Sequence, residues 1–224
     1  MRHRDAFKAV IETTKVAVTV LRDVDVEFML GGSMAAWVRG GPEPDNDLDL
    51  MVKPDHAQAA LEALAAAGMR TELPPEEWLY KAWHGDVLID LIFRPTGIEL
   101  TDEVFERAEI ISVMAVGTPV MALDDVLVTM LGALDEHALD YGRLLAITRA
   151  VREQIGWDAL RNYACGSPYA KAFMTLVEEL GIAPRPAHPP ANGQSRAPGE
   201  SASRVRVLGA AAKAPPSGAA DKLE

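Results

Sequence analysis

Apolar and polar positions alternate with two different periods along the first half of the chain. A helical period predicts an amphipathic helix over 5–21 and a second, Ala- and Leu-rich helix that begins at Pro54-Asp55 and ends at Gly68. Shorter apolar runs, bounded by Gly, Pro and Asp, predict strands, and two of these runs are joined at His84-Gly85-Asp86, which favours a hairpin. The predicted strands are 26–30, 47–52, 69–73 and the two arms of that hairpin.

The second half of the chain has a helical pattern only. Four helices are predicted, at 123–137, 140–154, 157–165 and 168–180. From Ala183 onward the sequence is rich in Pro, Ala, Gly and Ser and holds seven of the 15 prolines, which predicts a disordered tail. The expected fold class is therefore α/β (α+β), a mixed sheet with flanking helices, and the expected domains are a core at 1–118, a helical subdomain at 119–182 and a tail at 183–224.

Composition narrows the class of protein. Hydrophobic residues make up 49% and charged residues 25%, as in an ordinary globular protein. The single cysteine, Cys165, excludes an internal disulfide framework and a cysteine-based zinc cluster. We expect a cytoplasmic protein without a membrane partner, because the basic start is followed by no signal-peptide pattern and no apolar run reaches the roughly 18 residues of a membrane helix. The net charge of −11 argues against polyanionic partners.

The segment Asp47-Leu48-Asp49-Leu50 places acids at alternate positions of a predicted strand. Side chains alternate between the faces of a strand, so the two carboxylates share one face, about 6.5–7 Å apart, while the leucines face the core. Such carboxylates repel each other unless a cation lies between them, and Mg²⁺ prefers carboxylate oxygens. The alternative is a solvated strand edge, where the pattern has no functional meaning.

A third acid, Asp90, lies within the apolar run Val87-Leu88-Ile89-Asp90-Leu91-Ile92-Phe93. A buried carboxylate is costly unless it is paired or neutralised. One interpretation is a salt bridge to a nearby Lys or Arg. We favour the other, in which Asp90 lies on a strand beside Asp47 and Asp49 and completes a three-acid metal site.

Gly31-Gly32-Ser33 follows the first predicted strand, and Ser33 is the expected helix cap. Glycines let a backbone approach a ligand closely, and a helix N-terminus offers N–H groups to phosphate. The turn is thus a candidate phosphate site, although a plain strand-to-helix turn has the same sequence.

The order of apolar strand, Gly-Gly-Ser, spacer and Asp-Leu-Asp-Leu resembles the polymerase-beta-type nucleotidyltransferase superfamily. The amino-acid sequence of residues 30–52 is most similar to that of bacterial minimal nucleotidyltransferases, including toxins of toxin–antitoxin pairs. The resemblance covers residues 26 to 93 well and the helical part more loosely.

The resemblance implies the chemistry and the site residues. Gly31, Gly32 and Ser33 would hold the triphosphate of an NTP, and Asp47, Asp49 and Asp90 would be catalytic and would hold two Mg²⁺ ions. The implied reaction is in-line attack by an acceptor hydroxyl on the α-phosphate, with release of pyrophosphate, and Asp90 is the candidate to deprotonate the hydroxyl.

The phosphate-binding cations follow the family pattern less closely. Relatives often have Arg-x-Thr-x before the first acid, where this chain has Glu43-Pro44-Asp45-Asn46. Arg39, in the preceding predicted helix, is the candidate to supply the missing cation. Lys81 could also contact phosphate, and for it a surface charge is the alternative interpretation.

The acceptor stays open at this point. Relatives act on tRNA ends, protein hydroxyls or small molecules such as aminoglycosides, and residues of the helical part are candidates to line the acceptor or base site: His137, Asp140, Tyr141 and Arg143. A cognate antitoxin is a further candidate partner. Two alternatives to the enzyme remain, a non-catalytic nucleotide-binding or antitoxin-type module of the same fold and an α/β structural domain.

Overall fold

The computed structural model describes residues 2–44, 47–113 and 115–185 of the chain. Within these ranges, the strands and four helices occupy residues 2–120, and only helices follow from residue 123. The elements, in chain order, are α1 (Arg2–Asp23), β1 (Phe28–Leu30), α2 (Gly32–Trp37), β2 (Asp47–Val52), α3 (Ala57–Ala66), β3 (Arg70–Glu72), β4 (Leu79–His84), β5 (Val87–Ile92), α4 (Asp102–Glu106), β6 (Glu109–Val113), β7 (Val116–Val120), α5 (Leu123–Gly132), α6 (Tyr141–Val151), α7 (Trp157–Ala164) and α8 (Pro168–Glu179).

The strands form one mixed sheet of seven in the order β3-β4-β5-β2-β1-β7-β6. The pairs β2–β5 and β1–β7 are parallel, and the other neighbours are antiparallel. The expected mixed sheet with flanking helices is confirmed, and so is the hairpin, in which Gly85 turns with a φ of +61°. This order places the acid-bearing strands β2 and β5 side by side, next to β1 and its glycine turn.

One face of the sheet forms the main core. Leu48, Leu50 and Val52 of β2 are fully buried, as are Ile89 and Leu91 of β5. The same core contains buried side chains from α1 and α3, so these helices cover this face. Because side chains alternate along a strand, the residues between them point to the other face, and these include all three aspartates.

Helices α5 to α8 enclose a second core around Leu127, Leu160 and Phe173, each fully buried. Trp157 also belongs to this core, with 9% of its surface exposed. The described residues, up to 185, belong to one compact unit. The boundary between residues 118 and 119 stays a prediction, and β7 runs across it.

Several local expectations were wrong. Ser33 does not cap α2, because Gly31 is the N-cap and Ser33 lies inside the first turn. The elements α4, β6 and β7 were not predicted. The first residues of the predicted tail are packed, since Ala183 is 3% exposed and its N–H donates to the carbonyl of Val177 at 3.1 Å. The remainder of that tail, 186–224, lies outside the described residues.

Among the described residues, no helix combines the length and the apolar character that a membrane crossing requires.

Candidate active site

Three aspartates meet on the face of the sheet that faces away from the main core. In the parallel pair β2–β5, Asp49 lies opposite Asp90 and Asp47 lies opposite Leu88. Neighbouring strands are about 4.8 Å apart, and Asp47 precedes Asp49 by two residues on the same face. The structure therefore brings the three predicted acids to adjacent register positions.

The glycine turn after β1 is built around Asp49. The N–H of Gly31 donates to the carbonyl of Asp49 at 2.9 Å. Gly32 has a φ of +49°, and a Cβ on it would lie 1.7 Å from Oδ2 of Asp49. The N–H of Ser33 donates to the Asp49 carboxylate. Only glycine fits at position 32, and the turn and the acidic strand form one unit.

Two of the three acids, Asp49 and Asp90, have raised pKa values. The pKa of Asp49 is raised to about 7, chiefly by burial and further by the negative charges of Asp47 and Asp90, while Arg143 and the N–H of Ser33 oppose the shift. Burial also raises the pKa of Asp90, against the opposing charge of Lys81. Neighbouring carboxyl groups with raised pKa values are typical of functional sites.

Three buried oxygens at this place have no hydrogen-bond partner among the described residues: Oγ of Ser33, Oδ1 of Asp47 and Oδ1 of Asp90. Buried polar atoms in proteins are nearly always satisfied, so these oxygens indicate a ligand. In the ranges that the structure describes, no three Asp, Glu, His or Cys side chains already form a metal cage. The acids thus share a face and a register, but their carboxylates do not converge on one point.

A cavity of about 560 Å³ lies over these residues, between the sheet and helices α5 and α6. Arg143, in the first turn of α6, reaches into it and places a guanidinium nitrogen 3.9 Å from Oδ1 of Asp47. The rest of the lining is mixed, with apolar side chains and two further acids. It includes Gly32, Ser33, Asp49, Met51, Trp78, Ile92, Pro95, Thr96, Met130, Leu134, Asp135, Asp140 and Leu144.

The two predicted phosphate-binding cations are placed elsewhere. Arg39 donates to Glu109 at 3.1 Å and lines a separate cavity, so it does not meet the acids. Lys81 lies beside Asp90 on β4, three strands and about 14 Å from the glycine turn. The cation nearest to Asp47 is instead Arg143.

Of the four residues in the helical part that were predicted to line the acceptor or base site, two line the cavity and two are not among its lining residues. Asp140 and Arg143 line the cavity. His137 is exposed, and the hydroxyl of Tyr141 donates to the carbonyl of Tyr169. The apolar walls, Trp78 and Met130 among them, were not predicted, because each carries only an ordinary apolar signal in the sequence. A second cavity, of about 540 Å³, surrounds Lys53 and contains none of the three acids.

Comparison with solved structures identifies the fold. The crystal structure of ANT(2″)-Ia in complex with adenylyl-2″-tobramycin matches with a TM-score of 0.55 and 11% identity, over 74% of this chain and 97% of that one. The fold is that of the nucleotidyltransferases. At 11% identity the likeness concerns the fold alone.

Two further nucleotidyltransferases match with TM-scores below 0.5. The lincomycin-bound lincosamide antibiotic adenylyltransferase LnuA matches with a TM-score of 0.46 and 13% identity, over 66% of this chain and 97% of that one. The putative nucleotidyltransferase TM1012 from Thermotoga maritima matches with 0.45 and 11%, over 70% and 94%. No protein-family model matches the sequence, and no curated protein matches it.

Proposed function

We propose that the protein is a magnesium-dependent nucleotidyltransferase that moves a nucleoside monophosphate from an NTP to a hydroxyl of an acceptor. The observation that carries the proposal is the contact of Gly32 with Asp49, where a single added carbon would lie 1.7 Å from the carboxylate. A phosphate-binding turn and a metal-binding acid need to be this close, because the metal and the turn hold the same triphosphate.

The donor set fits magnesium. Asp47, Asp49 and Asp90 offer carboxylate oxygens on adjacent positions, and Asp47 and Asp90 each have a buried oxygen without a hydrogen-bond partner in the described ranges. Mg²⁺ binds through one or two carboxylates and takes substrate phosphates as further ligands, so a cage completed by the NTP is the expected form. Bound magnesium would stabilise negative charge on the attacking and leaving oxygens.

The residues of this chain have distinct roles in the proposed reaction. Gly32 and Ser33 hold the phosphates, and Arg143 supplies positive charge from the helical part. The acceptor oxygen forms a bond to the α-phosphorus while the bond from that phosphorus to the bridging oxygen breaks. Pyrophosphate leaves with the electron pair of that bond, and the hydroxyl proton passes to the carboxylate of Asp90.

Three classes of acceptor are compatible with the proposed reaction: tRNA, proteins and small molecules. The fold neighbour ANT(2″)-Ia holds an adenylylated tobramycin in its crystal structure, which supports testing aminoglycosides first. The net charge of −11 also suits a cationic acceptor.

A second candidate is a module of the same fold that binds nucleotide without transferring it, as one half of a toxin–antitoxin pair. The observation that favours it is that the three carboxylates do not yet form a metal cage. The two candidates differ in turnover, which can be measured.

The test is incubation with each α-³²P-labelled NTP and Mg²⁺ against total tRNA, cell protein extract and an aminoglycoside panel. Asp49→Asn is compared with Asp86→Asn, the same substitution at the exposed hairpin turn. We expect transfer by the wild type and by Asp86→Asn, and none by Asp49→Asn. NTP binding without transfer to any acceptor would favour the second candidate.

A further inference from the structure

The cavity over the aspartates has a charged end and an apolar end. The charged end is lined by the glycine turn, the two acids of β2 and Arg143. From Asp49, β2 continues on the same face to Met51, which lies opposite Ile92 of β5. Both of these apolar side chains line the cavity. The lining therefore changes from charged to uncharged along β2 and β5.

Trp78 lies at the apolar end. Its carbonyl accepts hydrogen bonds from the N–H groups of Phe93 at 3.0 Å and Arg94 at 3.2 Å, which holds its backbone to the end of β5. Trp78 is nevertheless 44% exposed, and it is the one aromatic residue in the part of the cavity lining that the structure describes. A large aromatic ring that is left accessible in a cavity is typical of a ligand-binding site.

Helix α5 bounds the apolar end from the other side. A Cβ on Gly132, the last residue of this helix, would lie 2.7 Å from the carbonyl oxygen of Thr96, which follows β5. Both residues line the cavity. The apolar end thus lies between α5 and the sheet, with Trp78 as its ring surface.

An NTP is divided in the same way as this cavity. Its triphosphate is anionic, its base is a planar ring, and the ribose separates them. Trp78 lies three residues along the sheet and two strands across from Asp49, which corresponds to about 14 Å between the two Cα atoms. Because both side chains line the cavity, the space between them accommodates a ribose when a phosphate lies at Asp49 and a base lies on the ring.

The same lining separates the base from a cationic acceptor. Ammonium groups need carboxylates as partners, and the uncharged wall around Trp78 has none to offer. The two further acids of the cavity, Asp135 and Asp140, belong instead to the helical part. The apolar end therefore suits the base better than it suits the acceptor.

We propose that Trp78 stacks on the base of the bound NTP and that the apolar end of the cavity is the base-binding site. The inference rests on the proposed function, because the triphosphate at the glycine turn fixes the other end of the nucleotide. Every base has a π-face, so stacking on Trp78 favours nucleotides over base-free polyphosphates without selecting one NTP.

The test measures binding with and without a base. The full chain in Mg²⁺ is titrated calorimetrically with α,β-methylene-ATP and, separately, with tripolyphosphate, which has no base. We expect Trp78→Ala to weaken binding of the ATP analogue about tenfold or more and to leave the affinity for tripolyphosphate unchanged. Trp78→Phe keeps an aromatic ring and should keep most of the affinity for the ATP analogue.

Trp83→Ala is the matched control. The ring of Trp83 is already covered by the guanidinium carbon of Arg70, 3.7 Å from its centre, and Trp83 does not line the cavity. This variant should bind both probes as the wild type does.

Three results would overturn the inference. The first is an unchanged affinity of Trp78→Ala for the ATP analogue, and the second is an equal loss for the analogue and tripolyphosphate. The third comes from a parallel titration with tobramycin: if Trp78→Ala weakened binding of tobramycin but not of the analogue, the ring would belong to the acceptor site.

Failure of the proposed function has a different signature. A wild type that binds the ATP analogue through Trp78 but transfers no label in the radioactive assay would keep the base site and lose the enzyme. A wild type that binds neither the analogue nor tripolyphosphate would contradict the NTP site as a whole, and the base site with it.

Discussion

Replacing Asp49 by Asn should make the metal-free protein more stable at neutral pH while it abolishes transfer. The substitution keeps the size of the side chain and removes its charge. In the folded chain that charge is disfavoured by burial and by the two neighbouring aspartates, which is why the pKa of Asp49 rises to about 7. The same carboxyl in the unfolded chain has an ordinary pKa of about 3.9.

The direction of the pH dependence follows from this difference. Below about pH 4 the carboxyl is protonated in both states, and its ionisation costs the folded state nothing. Between about pH 4 and pH 7 the unfolded chain releases the proton and the folded chain retains it, so stability falls as pH rises. A difference of about three units corresponds to about 4 kcal/mol, fully lost above pH 7. Because Asp49 keeps partial contact with solvent, we expect a measured loss of about 1–3 kcal/mol.

Urea unfolding in EDTA at pH 5, 6, 7 and 8 measures this loss. The free energy of unfolding of the wild type, taken relative to Asp49→Asn, should fall steadily over this range, and Asp86→Asn should follow the wild type. Adding Mg²⁺ and ATP at pH 8 should stabilise the wild type and leave Asp49→Asn unchanged, since bound cations remove the repulsion. A wild type whose stability is flat or rises with pH relative to Asp49→Asn would refute the reasoning.

Three further predictions concern the turn, the cavity wall and the helical part. Gly32→Ala should lose roughly 2 kcal/mol or more of stability together with NTP binding, because its Cβ would meet the Asp49 carboxylate at 1.7 Å. Gly31→Ala would meet only the side chain of Met51 and should cost less in urea unfolding. Gly132→Ala should cost about 1–3 kcal/mol of stability, measured as a lower thermal midpoint, since its Cβ would lie 2.7 Å from a backbone oxygen. Gly142→Ala, with no neighbour closer than 3.6 Å, is the control and should be neutral or stabilising. Arg143→Gln should raise the KM for NTP about tenfold with little change in the KM for acceptor, and an unchanged KM for NTP in steady-state assays would remove Arg143 from the phosphate site.

The acid-bearing strand could be predicted because its signal is local. Alternation over six residues predicts a strand of Asp47–Val52, and the same alternation places both acids on one face. The hairpin could be predicted from Gly85, whose φ of +61° favours glycine. The three acids are close in space because β2 and β5 pair in parallel, and the polar interruption of an apolar run already indicates that Asp90 needs a partner.

The elements and contacts that were not predicted from the sequence lack such local signals. The turn between β6 and β7 contains Ala115 at a φ of +70°, a conformation in which Gly or Asn is expected. The sequence of the β6–β7 hairpin therefore has no turn signal. Arg39 was expected at the phosphates, but its pairing partner Glu109 lies on the unpredicted strand β6. Arg143 approaches Asp47 only through the packing of α6 against the rest of the chain, which no local pattern encodes.

The most direct test of the central claim follows the two ends of the triphosphate in one reaction. ATP labelled on the α-phosphate and ATP labelled on the γ-phosphate are incubated in parallel with the wild type, Mg²⁺ and the acceptor found in the transfer panel. The account predicts that the α-label becomes attached to the acceptor and that the γ-label appears in pyrophosphate. Appearance of the γ-label on the acceptor, or in free phosphate while the α-label stays in ADP, would contradict nucleotidyl transfer.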